Sequence, residues 1–127
     1  MSVRIGGGTL TQPRDQRGLG LLANVAFTTG GLGPTDDDLT REVVPEHLQL
    51  AMHEDPAIVD AMERRFASRE GKMPAVNRRQ AMVPHGAVVL DNPHGTAPGL
   101  WIEHDGAVLA LLPGPPREMN PMMDGEV

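Results

Sequence analysis

Between Thr28 and Thr40 the chain reads Thr-Thr-Gly-Gly-Leu-Gly-Pro-Thr-Asp-Asp-Asp-Leu-Thr, a glycine-rich run followed by three consecutive carboxylates. Gly30, Gly31 and Gly33 allow positive φ angles and let a backbone come close to a ligand. The amides of such a loop, with the N-terminus of a following helix, make an environment suited to phosphate. Thr28, Thr29 and Thr35 would add hydroxyl donors. Asp36, Asp37 and Asp38 repel an anion unless a divalent cation lies between them. Hard oxygen ligands suit Mg2+ or Mn2+, ions commonly shared between a few carboxylates and substrate phosphates. A metal held there would polarise a phosphoryl group and activate a water for attack. The plain alternative is that the aspartates cap a helix and complement its dipole. That alternative stays open for Asp36, whereas Asp38, deeper in the turn, is the better candidate for chemistry.

Other segments carry weaker chemical signals. Asn92–Gly99 is a loop punctuated by Gly and Pro with one flexible polar residue, Thr96, able to offer a hydroxyl and backbone amides. It reads equally well as a structural turn. Pro113–Pro116 forms another rigid turn, with Arg117 and Glu118 following as ligand contacts, as a mutual pair or as a helix start. Arg78 and Arg79 are candidate phosphate ligands, since a guanidinium suits bidentate contacts; solvation explains them equally well. The wider group of Arg64, Arg65, Arg69, Lys72, Arg78 and Arg79 reads most simply as a solvated face, with a phosphate site as the alternative. The histidines at 47, 53, 85, 94 and 104 show no metal-ligand spacing.

The elements that must position these groups follow from periodicity and punctuation. Ala23–Phe27 predicts a buried strand delivering the glycine loop to the end of a sheet, where open α/β folds bind ligands. A helix is expected to start near Asp36 or Asp37 and to kink or restart after Val44, because Pro45 removes a donor and clashes with the preceding turn. A second helix is signalled by Asp55 as N-cap, Pro56 at the first position and Gly71 as the C-terminal cap. Ile58, Met62 and Phe66 form its apolar stripe. A short helix over Pro74–Met82 and a strand at Ala87–Leu90 follow. Leu100–Glu103 and Ala107–Leu112 then flank Asp105-Gly106, a strong hairpin signal. Strand, helices, strand and hairpin in that order predict an α/β sandwich.

The 127 residues suit one domain. At 39% hydrophobic and 22% charged the composition is that of a globular protein. With only Phe27, Phe66 and Trp101 as large rings, the core must be built from Leu, Val, Ala and Met. A net charge of −6 argues against nucleic-acid binding. Cysteine is absent, which removes disulfides and thiolate chemistry. No apolar run reaches membrane-span length, so no membrane partner is expected and the cytoplasm is the default location. Residues 1–22 show no sustained periodicity and are expected to be loop or flexible tail. Gly6–Gly8 lacks the Gly-Lys-Ser/Thr continuation of a phosphate loop.

The order and spacing of four segments resemble one family. They are Gly30-Gly31-Leu32-Gly33-Pro34-Thr35-Asp36-Asp37-Asp38-Leu39-Thr40, Asn77–Ala81, Asn92–Gly99 and Leu112–Met119. Together they look like the CinA-type (competence/damage-inducible protein A) domain of the MoaB/Mog molybdopterin-binding family. The resemblance covers residues 23–127. It implies a three-layer α/β sandwich with a C-terminal β-hairpin, incomplete at its N-terminus, because the opening strand, Gly-Thr-Glu loop and Asn-Thr-Asn segment of such domains are not found in residues 1–22. The amide-hydrolysing domain of many CinA proteins has no counterpart in the resemblance, so no deamidase role is expected of these residues.

The resemblance also implies a metal-dependent nucleotide pyrophosphatase of the ADP-ribose type. In it Asp37 and Asp38 would be catalytic, and Asp36, Asp37 and Asp38 would hold Mg2+, Mn2+ or Co2+. Thr29, Gly30, Gly31, Gly33, Thr35, Thr96, Gly114 and Pro115 would bind substrate. The expected partner is a nucleotide or pterin, and self-association into a homo-oligomer is expected from relatives of this fold. The alternatives are a molybdopterin- or nucleotide-binding module without catalysis, and an incomplete chain without activity.

Overall fold

The structure is a computed structural model that describes residues 3–5, 8–10 and 24–125. Val3–Ile5 (β1) and Gly8–Leu10 (β2) pair antiparallel. The segment expected to be loop therefore carries two short strands, and the rest of the expected tail (1–2, 6–7 and 11–22) lies outside the described residues.

The central sheet has four strands. Asn24–Thr29 (β3) runs parallel to Ala107–Leu112 (β8), in register from Asn24 opposite Ala107 to Thr29 opposite Leu112. Gly99–His104 (β7) pairs antiparallel with β8, and Val88–Leu90 (β6) antiparallel with β7, giving the order β3-β8-β7-β6. The β7–β8 hairpin turns as predicted at Asp105 and Gly106, whose φ angles of 49° and 75° are those of a two-residue primed turn. Met52–Glu54 (β4) and Met82–Pro84 (β5), absent from the sequence expectation, form a separate antiparallel pair. Each is only three residues long, too short for an alternation to be read.

Among the described residues three helices and a 3-10 segment pack around the sheet. Because side chains alternate across a strand, β7 and β8 feed two cores. On one face Leu100, Ile102 and Leu111 pack with Ile58, Val59 and Met62 of helix α2 (Pro56–Ala67) and with Ala81 and Val83. On the other, Leu90 and Leu112 pack with Met122 of helix α3 (Pro116–Gly125), with Phe27, Trp101, Met119 and Met123 around them. Helices on both faces of a mixed sheet make the three-layer α/β arrangement anticipated from the sequence.

Helix boundaries depart from expectation where local hydrogen bonds compete. Helix α1 (Thr40–His47) starts behind Leu39, three or four residues later than Asp36 or Asp37. Asp38 N–H donates to Thr35 O at 3.0 Å and Leu39 N–H to Asp37 O at 3.1 Å, so the aspartates close a turn before the helix. Thr40 N–H then finds Gly31 O at 3.0 Å. Pro45 does not interrupt α1. It lies inside the helix with its ring fully buried, and the helix ends two residues later, so few bonds remain to be lost. In α2, Asp55 caps as expected, accepting from Ala57 N–H at 2.9 Å. Its C-terminal cap is Ser68 rather than Gly71, and the left-handed residue beyond is Glu70 at φ 56°. The segment Ala75–Ala81 winds as a 3-10 helix.

Candidate functional site

β3 and β8 are parallel, so their C-terminal ends, Thr29 and Leu112, lie side by side. The antiparallel partner β7 begins at Gly99 on that same edge, opposite Leu90 and next to Leu111. Three loops therefore meet there: Gly30–Leu39, Asp91–Pro98 and Pro113–Pro115. They enclose a cleft of about 490 Å3, a size typical of ligand sites. Loop contact is close: Gly30 N–H donates to Leu112 O at 2.8 Å, and a Cβ on Gly114 would lie 3.4 Å from Gly30 Cα.

Of the residues expected to bind substrate, Gly30, Gly31, Gly33, Thr96, Gly114 and Pro115 line this cleft. Thr29 is an exposed residue at the end of β3, off the cleft wall. Thr35 is also off the wall, but it governs Asp38, which is on it: its hydroxyl and its N–H, at 3.1 Å, both donate to Asp38 Oδ2. The three aspartates do not converge. Asp36 is fully exposed and pairs with Arg79 at 3.1 Å, and Asp37 is exposed and off the cleft wall. Among the described residues no group of three His, Asp or Glu side chains is placed to hold a metal. A three-aspartate cage thus does not fit. A cation sharing one protein carboxylate with substrate phosphates does fit Asp38, and Mg2+ is often held in this way.

The Thr35 hydroxyl holds the Asp38 carboxyl below the usual carboxylate value, helped by the Thr35 and Gly33 amides and the Arg79 charge against a partial desolvation. A pKa lower in the folded than in the unfolded state stabilises the fold above the unfolded value. That contribution disappears as pH falls through the folded one. Thr35→Val is expected to move the Asp38 titration upward, as followed by NMR of the side-chain carboxyl. An unmoved midpoint would show that the hydroxyl is not the cause.

The arginines divide differently from their reading in sequence. Arg78 pairs with Glu54 at 2.6 Å, and Arg79 pairs with Glu42 at 2.8 Å as well as with Asp36. Arg78 thus ties the 3-10 segment to β4, and Arg79 ties it to α1 and to Pro34, Thr35 and Asp36 of the glycine loop; neither lines the cleft. The cleft takes Arg65 and Arg69 from α2 and its following turn, and Arg117 from α3, together with His94 and Glu118. Arg65 and Arg69 belonged to a group read mainly as solvated, and helical periodicity alone gives no signal that Arg65 borders a loop 27 to 30 residues away. Gln80, 1% exposed, also reaches the wall, its carboxamide oxygen accepting from Asn77 at 3.3 Å.

Two buried polar groups support the middle loop. Asn92 donates from its amide to Ala97 O at 2.9 Å and to Glu118 Oε2 at 2.8 Å, while its oxygen accepts from His94 N–H at 3.1 Å. Arg41, 3% exposed, donates to Met82 O at 3.2 Å and to Pro98 O. Burial pushes its pKa down to about 10, so it still carries its charge at neutral pH.

Comparison with known proteins agrees with this geometry. Residues 18–127 match the family described as "Probable molybdopterin binding domain". The chain is 52% identical over 101 residues to a Moorella thermoacetica protein named "Putative competence-damage inducible protein", a match covering 80% of this chain and 24% of that protein. It is 46% identical over 100 residues to a CinA-like protein of Solibacter usitatus, again spanning 24% of the relative. The chain thus covers about a quarter of the length of these relatives. The crystal structure of a CinA protein of unknown function from Thermoplasma acidophilum superposes with a TM-score of 0.69 at 29% identity, covering 80% of this chain and 59% of that one. Among the described residues no helix is long and apolar enough to cross a membrane. A glycine-lined cleft at the carboxyl ends of the parallel strand pair, with these matches along most of the chain, makes it a member of the molybdopterin-binding domain family, of the CinA type.

Proposed function

We propose that the cleft binds the diphosphate of a nucleotide and hydrolyses its pyrophosphate bond, with ADP-ribose as the model substrate. The observation that supports this most is the placement of one deprotonated carboxylate, Asp38, among three loops rich in glycine amides, with Arg69 and Arg117 on the same wall. The amides of Gly31 and Leu32 donate to no protein acceptor among the described residues and are available to phosphate oxygens. Arg69 and Arg117 have no carboxylate partner there and would offset the substrate charge. Asp38 would hold a divalent cation, with Glu118 the next carboxylate on the wall; when bound, that cation supplies Lewis-acid polarisation of the phosphoryl group. Water adds to one phosphorus, the bridging P–O bond breaks, and AMP and ribose 5-phosphate leave.

The expected result is release of AMP and ribose 5-phosphate from ADP-ribose with Mg2+, Mn2+ or Co2+. Asp38→Ala should reduce the rate by about 100-fold or more. No turnover from folded protein across the three metals would sink the activity, and full turnover in Asp38→Ala would sink the role of that residue. The family match favours a second reading, a site that holds a pterin without chemistry. Calorimetry with a pterin against ADP-ribose separates the two, since each reading expects the tighter binding from its own ligand.

A further inference from the structure

In the 3-10 segment Ala75–Ala81, side chains three residues apart stand almost eclipsed. Asn77 and Gln80 have that spacing and are 7% and 1% exposed, whereas Arg78 and Arg79 between them reach Glu54 and Glu42. Asn77 Nδ2 donates to Gln80 Oε1 at 3.3 Å, so the free end of the Gln80 carboxamide is its donor, Nε2. Among the described residues Nε2 has no acceptor. Nor is it one of the two fully enclosed polar atoms without a partner, which are Asn24 Oδ1 and Arg41 Nε. The little surface that Gln80 keeps therefore includes Nε2, and Gln80 lines the strand-end cleft.

This side of the cleft is apolar. Leu32 and Ala97 also line it, and they belong with Ala81 to one buried cluster. Arg79, the adjacent cation, is committed to Glu42, Asp36 and the Pro34 and Thr35 carbonyls. An ionised oxygen placed here would have a neutral amide as compensation for its lost hydration, which is a poor exchange. A hydroxyl or carbonyl oxygen is satisfied by the same single donor, and the donor by it. Phosphoryl oxygens are better matched by Arg69 and Arg117, which line the cleft as well.

We infer that Gln80 is a specificity-determining residue whose Nε2 donates to an uncharged oxygen of the ligand, a sugar hydroxyl or a heterocycle carbonyl, and not to its phosphates. Asn77 is the positioning residue: by holding Oε1 it keeps the donor end toward the cleft. This deepens the proposed function and rests on that reading for the hydroxyl, which ADP-ribose supplies from its ribose; a pterin would supply the carbonyl. A site built to donate to such an oxygen discriminates against ligands that lack it, because the donor is then left unpaired.

The test uses the full chain with labelled glutamine and follows the Gln80 side-chain amide by NMR. ADP-ribose or 6-hydroxymethylpterin should shift one of its two amide protons, and the ligand that does so identifies the source of the oxygen. Inorganic pyrophosphate alone should not. In Gln80→Met, ADP-ribose binding should weaken about tenfold, the equivalent of about 1.4 kcal/mol, while pyrophosphate binding stays within about twofold. Gln80→Glu regains a donor only when its carboxyl is protonated, so its ADP-ribose affinity should recover toward low pH relative to Gln80→Met. A wild-type amide that is silent to both organic ligands, or that answers to pyrophosphate, overturns the assignment without any variant having to fold. Equal weakening of ADP-ribose and pyrophosphate binding in Gln80→Met overturns it too, since that is the mark of a purely structural role. An amide that answers to ADP-ribose without turnover refutes the hydrolytic reading and leaves the donor standing; turnover with a silent amide does the reverse.

Discussion

Gly31→Ala should lower the free energy of unfolding by about 3 kcal/mol and abolish ligand binding, whereas Gly30→Ala should cost only about 1 kcal/mol. Both glycines have positive φ, 72° and 89°, so both substitutions carry the left-handed penalty. The difference is space. A Cβ on Gly30 meets nothing within 4 Å, whereas one on Gly31 would run into the Thr40 hydroxyl, 2.9 Å from Thr40 Cβ and 3.1 Å from its backbone nitrogen. Thr40 is the first residue of α1, and its N–H is held by Gly31 O at 3.0 Å. Relief therefore requires the helix start to move, and Asp38 moves with it. Chemical denaturation of the two variants side by side checks this. Equal losses would show that backbone conformation alone sets the cost and that the Gly31–Thr40 contact is soft.

The second large effect is expected in the middle of the sheet. Leu111→Ala should destabilise the fold by about 3–4 kcal/mol with little change in the denaturant m-value. Leu111 has 0% exposure, stands on β8 between β3 and β7, and packs into the core beneath α2. Neighbours on both strands hold the backbone in place, so the void cannot close by local collapse. Val88→Ala is the control: Val88 is 58% exposed on the short strand β6 and should change stability by no more than about 0.5 kcal/mol. A loss below 1 kcal/mol for Leu111→Ala would mean that the sheet relaxes around the missing side chain.

Much of this arrangement was legible beforehand because its signals are local. Asp55-Pro56 starts α2, Asp105-Gly106 turns the hairpin, and the apolar run of β8 marks its second strand. Each depends on residues within a few positions of one another, where φ preference, capping and alternation act. The glycine loop belongs to the same class, and its place at a strand end could be read from Ala23–Phe27 alone.

The start of α1 was misplaced because Thr35 and Gly31 compete for the same donors that a helix beginning at Asp36 would use, a contest that only the folded loop decides. Asp36, Asp37 and Asp38 are adjacent in sequence yet separate in space, since a turn sends successive side chains in different directions. One meets Arg79, one meets water and one lines the cleft.

The sequence by itself determined the family, the α/β class and the glycine-rich wall of the site, because these depend on short-range stereochemistry and motif order. Tertiary structure alone decided which charges share the cleft. Arg65, Arg117 and Glu118 come from two helices on opposite faces of the sheet and Arg69 from the turn after α2, and they meet Asp38 only because the parallel pairing of β3 with β8 brings the loops to one edge. Long-range register leaves no mark in local spacing, so Asp38 and Arg117 could be named as candidates in advance, whereas their meeting with Arg65 and Arg69 in one cleft could not.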